Sequence, residues 1–153
     1  VGRNSAWQQY GIATCATHRW ANPDDPKDDG GTYYLAYDKE TSRPIVKPGR
    51  LTPPLTQYFR YIRAGAIRVD ALSDHGSFDP LAFVNVDGRH VMVIKAIQAG
   101  SVNVRDMPAG SYGVRAVLKG GEARDFPGVN LTEGEVIDVN VPGPGVVTIY
   151  GLP

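Results

Sequence analysis

Residues 17–31, THRWANPDDPKDDGG, place one tryptophan and four aspartates in a single polar loop. A flat aromatic ring in such a loop can stack on the C–H face of a sugar, while polar side chains bind its hydroxyl groups. Trp20 is therefore a candidate carbohydrate-binding residue, and Tyr33 and Tyr34 follow it closely in the chain. The alternative is that Trp20 packs onto the body of the domain and that the two tyrosines are buried between layers.

The aspartates of this loop also suggest a cation site. Asp24, Asp25, Asp28 and Asp29 offer the oxygen ligands that calcium binds in flexible loops. Their spacing matches no EF-hand, and Lys27 lies among them. A solvated acidic loop is the alternative, so the sequence predicts no cofactor beyond calcium at these four residues.

The imidazoles and hydroxyls form no recognisable catalytic set. His18, His75 and His90 lack the spacing of metal ligands. Ser73 and Asp74 precede His75 directly and supply the residue types of a Ser-His-Asp set. Neighbours in one loop rarely reach a geometry that separate segments normally assemble. The sequence therefore predicts no catalytic residue of these types.

Composition limits the class of partner. The 153 residues are enough for one domain with its own core, or for one domain with a fragment of another. Sixteen basic and sixteen acidic residues cancel, so no overall field recruits nucleic acid or an anionic membrane. No apolar run approaches the roughly 18 residues of a membrane span. We expect neither nucleic acid nor a membrane as a partner.

The stretch 51–71, LTPPLTQYFRYIRAGAIRVDA, must position whatever site the chain has. Thr52 is a candidate N-cap, and Pro53 suits the first helical position, because proline lacks an N–H group. Apolar residues at helical spacing predict a helix over residues 53–62, with one apolar stripe through Leu55, Tyr58, Phe59 and Ile62. We expect Leu55, Phe59 and Ile62 of this stripe to be buried. Gly65 is placed to end the helix, after which the pattern changes to the two-residue period of a strand.

The rest of the chain alternates like β-strands joined by tight turns. Residues 81–86 and 89–96 flank Asp87-Gly88, a strong hairpin signal. Further strands are predicted at 101–105, 111–118, 135–141 and 146–150. Short strands at this spacing are typical of a sandwich. The predicted fold is therefore mainly β, an antiparallel β-sandwich with one short α-helix.

Residues 58–69, YFRYIRAGAIRV, resemble the junction between the last barrel helix and the C-terminal β-sandwich of glycoside hydrolase family 30. The chain departs from that pattern at Ala64, where the family usually has proline. The resemblance implies an N-terminal segment, 1–64, similar to the end of a hydrolase barrel, and a sandwich module, 65–153. It also implies that Trp7 and Gln9 resemble barrel strand-end residues that line a sugar site. The alternative, which the sequence favours, is that Trp7 is a core residue.

A retaining glycosidase needs two carboxyl groups roughly 5–5.5 Å apart. In the family both are glutamates on barrel strands upstream of the matched region. The four glutamates of this chain, at 40, 122, 133 and 135, all fall in or beside predicted turns. The chain is therefore not expected to be an enzyme by itself, although it would be part of, or derived from, a glycoside hydrolase.

The resemblance leads to a functional expectation. The chain would be a secreted, bacterial, non-catalytic module that binds a plant or microbial cell-wall polysaccharide or accompanies a catalytic barrel. The alternatives are a purely structural domain that braces the barrel, or a fragment of the glycosidase itself. The exposure of the aromatic rings distinguishes a binding module from a structural one.

Overall fold

A computed structural model describes residues 33–49 and 51–153. Half of the described residues are strand, their sheets are all antiparallel, and they contain a single short helix. The predicted fold class, mainly β with one short α-helix, is confirmed. In this part of the chain, no helix combines the length and apolar character needed to cross a membrane.

A hairpin and the helix come first. Strands β1 (Tyr33–Tyr37) and β2 (Pro44–Pro48) pair with each other. Helix α1 runs over Thr52–Tyr61 and is capped by Leu51, so Thr52 is its first residue rather than its N-cap. The expected helix was therefore placed one residue too late. The helix ends at Tyr61 with Ile62 at its C-cap position, so Gly65 does not end it as predicted; Gly65, with φ of +83°, lies in the turn that leads into the sandwich.

The larger layer of the sandwich is a six-stranded sheet in the order β3-β4-β5-β10-β7-β8. Its strands are β3 (Ile67–Val69), β4 (Phe78–Val84), β5 (His90–Ala96), β7 (Gly110–Leu118), β8 (Ala123–Leu131) and β10 (Gly145–Gly151). Strands β6 (Gly100–Val104) and β9 (Ile137–Val141) pair separately as a two-stranded layer.

Alternation along the strands gives the large sheet two apolar faces. On β10, Val147 and Ile149 join the core shared with β6 and β9, whereas Val146 and Tyr150 belong to the cluster that contains α1 residues. Side chains of successive strand residues point to opposite faces, so neighbours in sequence serve different layers. The helix therefore covers one face of the sheet and the β6–β9 pair covers the other.

The helix does not bury the stripe expected from its sequence. Phe59 is 42% exposed, whereas Tyr58 is only 3% exposed and packs against β4, β5 and β10. Leu55 and Ile62 are half-buried. The buried face of the helix is centred on Gln57 and Tyr58, so the predicted stripe is wrong at Phe59. The contacts that fix this orientation are made by Gln57, described next, and by Tyr61, whose ring stacks on Tyr150.

A buried polar pair joins the helix to the centre of the sheet. The Oγ1 atom of Thr148 donates a hydrogen bond of 3.1 Å to the Oε1 atom of Gln57, and both residues are buried. Buried polar atoms are costly unless they are paired. This bond therefore favours a single orientation of α1 over the sheet.

Thr148→Val should lower the free energy of unfolding by about 1–3 kcal/mol, because valine keeps the side-chain shape but leaves Gln57 Oε1 without its donor. Urea unfolding followed by circular dichroism measures the change. The double variant Thr148→Val/Gln57→Leu removes both polar partners and should recover most of the loss. Unchanged stability in Thr148→Val would show that the bond does not orient the helix.

Candidate ligand groove beside the helix

Most of the site residues predicted from the sequence lie outside the described residues. These are Trp7, Gln9, Trp20, Asp24, Asp25, Asp28 and Asp29. The backbones of Tyr33 and Tyr34 lie in β1, opposite Pro48 and Lys47 of β2. All nine remain predictions. Among the described residues, no three His, Cys, Asp or Glu side chains lie together as metal ligands.

The described residues form a groove between α1 and the strands β7 and β8. It is open to solvent and has a volume of about 490 Å³. Its lining consists of Pro53, Thr56, Gln57, Phe59 and Arg60 from the helix, and Arg115, Val117 and Ala123 from the sheet. The buried cluster beneath the helix takes its strand residues from β4, β5 and β10, so this end of the same sheet face is left open.

Phe59 supplies a flat apolar surface at the groove. Among the phenylalanine and tyrosine side chains that the structure describes, it is the only exposed one. The others are buried or half-buried in the two cores: Tyr58, Tyr61, Phe78, Phe83, Tyr112, Phe126 and Tyr150. The described sandwich strands therefore offer no second aromatic platform, and Phe59 is the ring available for stacking.

Two guanidinium groups line the same groove. The Nη1 atom of Arg115 donates to both carboxylate oxygens of Asp125 at 2.6 Å, and this hydrogen bonding raises the pKa of Arg115. Nη1 is the atom of Arg115 that forms hydrogen bonds to the described residues. Its Nε and Nη2 groups are therefore left as donors for other partners. The Cζ atom of Arg60 lies 5.6 Å from the centroid of the Tyr61 ring, and no described carboxylate pairs with Arg60.

A stacked tyrosine pair holds the helix beside these groups. The rings of Tyr61 and Tyr150 lie 4.2 Å apart between centroids, with 28° between their planes. The Tyr150 ring lies directly over Gly113 of β7, where any side chain would collide with it. Burial, followed by the influence of Tyr150, raises the pKa of the Tyr61 hydroxyl, whereas Arg60 and Arg115 oppose that rise. The pair therefore joins α1 to β10, the neighbour of β7 in the sheet.

The carboxyl groups of the described residues show no feature of a glycosidase pair. All four glutamates are exposed, and Glu122 forms an ion pair with Arg124. The backbone N–H of Thr132 donates to Glu135 and lowers its pKa. The pKa values of Asp38 and Asp87 are lowered in the same way, by backbone N–H groups. A general acid needs its pKa raised, and these three groups have theirs shifted in the opposite direction.

The Ser73-Asp74-His75 sequence forms a local turn. Ser73 Oγ donates to the carbonyl of His75 and accepts its backbone N–H, so the hydroxyl is bonded to backbone rather than to the imidazole. The Nδ1 atom of His75 accepts the N–H of Ser77. These hydrogen bonds show that Ser73 and His75 stabilise a turn.

One edge of the large sheet is apolar. Strand β3 ends the sheet, and three large aliphatic side chains at or near it are each at least 69% exposed: Ile67, Leu72 and Val86. The Val86 side chain lies over Gly65, in the segment that connects the helix to the sandwich. These three residues, called the apolar edge below, form a surface chemically unlike the groove.

Two solved structures are similar to this chain. The catalytic domain of the GH30 xylanase C from Talaromyces cellulolyticus matches 80% of it with a TM-score of 0.63 and 18% identity. SrfJ from Salmonella typhimurium matches 80% of it with a TM-score of 0.52 and 17% identity. No protein-family model matches the sequence, and no curated protein does so either.

The match is to a part of each larger structure. The chain spans 27% of the xylanase domain and 21% of SrfJ. At these identities the similarity is one of fold. The chain therefore has the fold of a portion of a glycoside hydrolase family 30 catalytic domain, the relation that residues 58–69 predicted.

Proposed function

We propose that the chain is a non-catalytic, carbohydrate-binding accessory module of a secreted, polysaccharide-degrading glycoside hydrolase. The observation that carries the proposal is the groove, in which Phe59 and two arginines meet on a module whose fold recurs in a family 30 structure. Its volume of about 490 Å³ lies within the range of small-ligand sites.

The groove has the two kinds of surface that a saccharide needs. The exposed Phe59 ring suits the C–H face of a sugar, and Val117 extends the apolar floor behind it. The guanidinium groups of Arg60 and Arg115 present fixed, planar sets of hydrogen-bond donors to ring substituents. The Nε and Nη2 donors of Arg115 bond no described residue, which favours a role in ligand binding over a role in packing.

The surroundings of the glutamates support the non-catalytic part of the proposal. Exposed carboxylates in turns, with ion-pair or backbone partners, lack the paired geometry that glycoside hydrolysis requires. The residues of the acidic loop, Trp20 with Asp24, Asp25, Asp28 and Asp29, are a second proposed contact zone for sugar or calcium. Tyr33 and Tyr34 continue that zone into β1.

A second candidate function is that the module braces a catalytic barrel. The apolar edge favours it, because exposed aliphatic clusters mark protein interfaces. The similar structures are also about four times longer than the part matched here, which leaves most of a catalytic domain as the proposed neighbour. The two candidates use different surfaces, so they are compatible with each other.

Affinity electrophoresis against a panel of soluble plant and microbial polysaccharides tests the proposal. We expect retardation by at least one polysaccharide, with no reducing ends released during prolonged incubation. Hydrolysis that disappears on changing one of the four glutamates to glutamine would contradict the non-catalytic assignment. If no polysaccharide in the panel retards the protein, the binding function is excluded and the second candidate, bracing of a catalytic barrel, is favoured.

A further inference from the structure

We propose that the groove selects saccharides that carry an acidic group, a carboxylate or a sulfate. The sugar ring would lie on Phe59, and its acidic group would bind between Arg60 and Arg115. This inference rests on the proposed function, because it specifies the class of ligand that the same groove takes.

The charges on the groove lining favour an anion. Its two charged side chains are both arginines, and the only described carboxylate bonded to either is Asp125. Asp125 occupies Nη1 of Arg115 and leaves the Nε and Nη2 edge, the fork that matches two oxygens of an acidic group. Arg60 is held over the Tyr61 ring and has no competing carboxylate among the described residues.

Burial of the groove floor strengthens this preference. Gln57 and Val117 are buried and Arg115 is half-buried, so the acidic group would be partly desolvated on the side that faces Arg115, whereas Arg60 is exposed. Charge pairs gain strength where water is excluded, whereas fully exposed pairs contribute little. A neutral sugar would leave both guanidinium groups without an acceptor of matching charge, so it should bind more weakly.

The overall charge of the chain separates a local preference for acidic ligands from a general attraction to them. The formal net charge is zero, so no general attraction draws polyanions to the molecule. Preference for an acidic saccharide would therefore come from the local arrangement of Arg60 and Arg115. It should depend on those residues and not on arginines elsewhere.

Isothermal titration calorimetry of the whole chain tests the inference with a matched pair of ligands. Tetragalacturonate carries carboxylates, and its fully methyl-esterified form keeps the rings without the charge. We expect the acid to bind about tenfold more tightly than the ester, as for one added charge-assisted contact. A sulfated galactan oligosaccharide of similar length shows which acidic group the arginines prefer, and neutral xylotetraose measures binding by the ring surface alone.

Substitutions then locate the site. Arg60→Gln should reduce affinity for the acid about tenfold and leave affinity for the ester nearly unchanged, whereas Phe59→Ala should weaken both. Arg89→Gln, at the exposed hairpin where Arg89 pairs with Asp87, removes the same charge outside the groove lining and should change neither. Circular dichroism confirms that each variant is folded.

Each other outcome has a definite meaning. Equal binding of acid, ester and xylotetraose, lost in Phe59→Ala, would overturn the acidic preference and leave the proposed function intact. Binding of the acid that survives in both Arg60→Gln and Phe59→Ala, or that falls equally in Arg89→Gln, would overturn the site. If no saccharide binds in the calorimeter and no polysaccharide retards the protein in electrophoresis, both the inference and the proposed function would be overturned.

Discussion

Tyr58→Ala should lower the free energy of unfolding by about 3–5 kcal/mol, the range for removing a buried aromatic side chain. Tyr58 packs against Leu81, Phe83 and Val93 on the helix-covered face of the sheet. Burial, with a contribution from the Asp79 carboxylate, also raises the pKa of its hydroxyl, as expected for a phenol removed from water. Truncation would leave a cavity between the helix and three strands. Urea unfolding monitored by circular dichroism measures the loss.

Phe59→Ala is the matched control, because it removes a ring of similar size from the next position of the same helix. Its expected cost is below about 1 kcal/mol, since Phe59 lies at the groove with 42% of its surface exposed and outside the buried cluster beneath the helix. The sequence alone predicted that Phe59 is a core residue, on the same stripe as Tyr58. A larger loss in Phe59→Ala than in Tyr58→Ala would restore that interpretation and contradict the helix orientation described here.

Gly145→Ala should destabilise the sandwich by about 3 kcal/mol, the upper part of the range for overpacking. Gly145 begins β10 and is paired with Ala96 of β5 and Leu118 of β7. A methyl group there would overlap the carbonyl oxygen of Val117 and lie 2.8 Å from the Cα atom of Leu118. Backbone atoms of a central strand cannot rotate away as a side chain can, so β10 or β7 would have to move.

Gly143→Ala supplies the control for this second prediction. It lies two residues earlier in the same turn, and a methyl group there would meet nothing within 4 Å. Thermal unfolding should therefore show a clear drop in Tm for Gly145→Ala and almost none for Gly143→Ala. Equal Tm values for the two variants would mean that β10 has room to shift, and that its close approach to β7 is not a constraint.

Local patterns predicted the strands and turns well. Gly88, with φ of +81°, sits in the turn expected from Asp87-Gly88, and Ile137 and Val139 face the core as their alternation indicated. These features depend on residues close together in the chain, where the two-residue period and turn chemistry act directly. The order of strands could not be read in this way, because β10 lies between β5 and β7, far from both in sequence.

The helix face was mispredicted for a physical reason. Two overlapping stripes exist, one through Leu55 and Phe59 and one through Tyr58 and Tyr61, and both are apolar enough to be buried. The choice is made by partners outside the helix: Thr148, which bonds Gln57, and Tyr150, which stacks on Tyr61. A helix sequence read by itself contains no information about these partners.

The groove was missed because its two sides are distant in the chain. Arg60 and Arg115 meet only when α1 lies across the sheet, and Arg115 looked in sequence like an ordinary outward residue of an alternating strand. The available signal was an arginine in the middle of a strand otherwise rich in small and apolar residues. By contrast, the predicted zone around Trp20, Tyr33 and Tyr34 was recognised because its aromatic and acidic residues are contiguous.

The central claim is that saccharide binds between α1 and strands β7 and β8. A ¹⁵N–¹H correlation spectrum of the whole chain, titrated with tetragalacturonate, tests it residue by residue. The largest shifts should fall on the amides of Phe59, Arg60, Arg115 and Val117, with Arg89 unaffected. Saturable shifts confined to residues 18–37, or spread over the apolar edge, would place the ligand elsewhere and contradict the groove as the binding site.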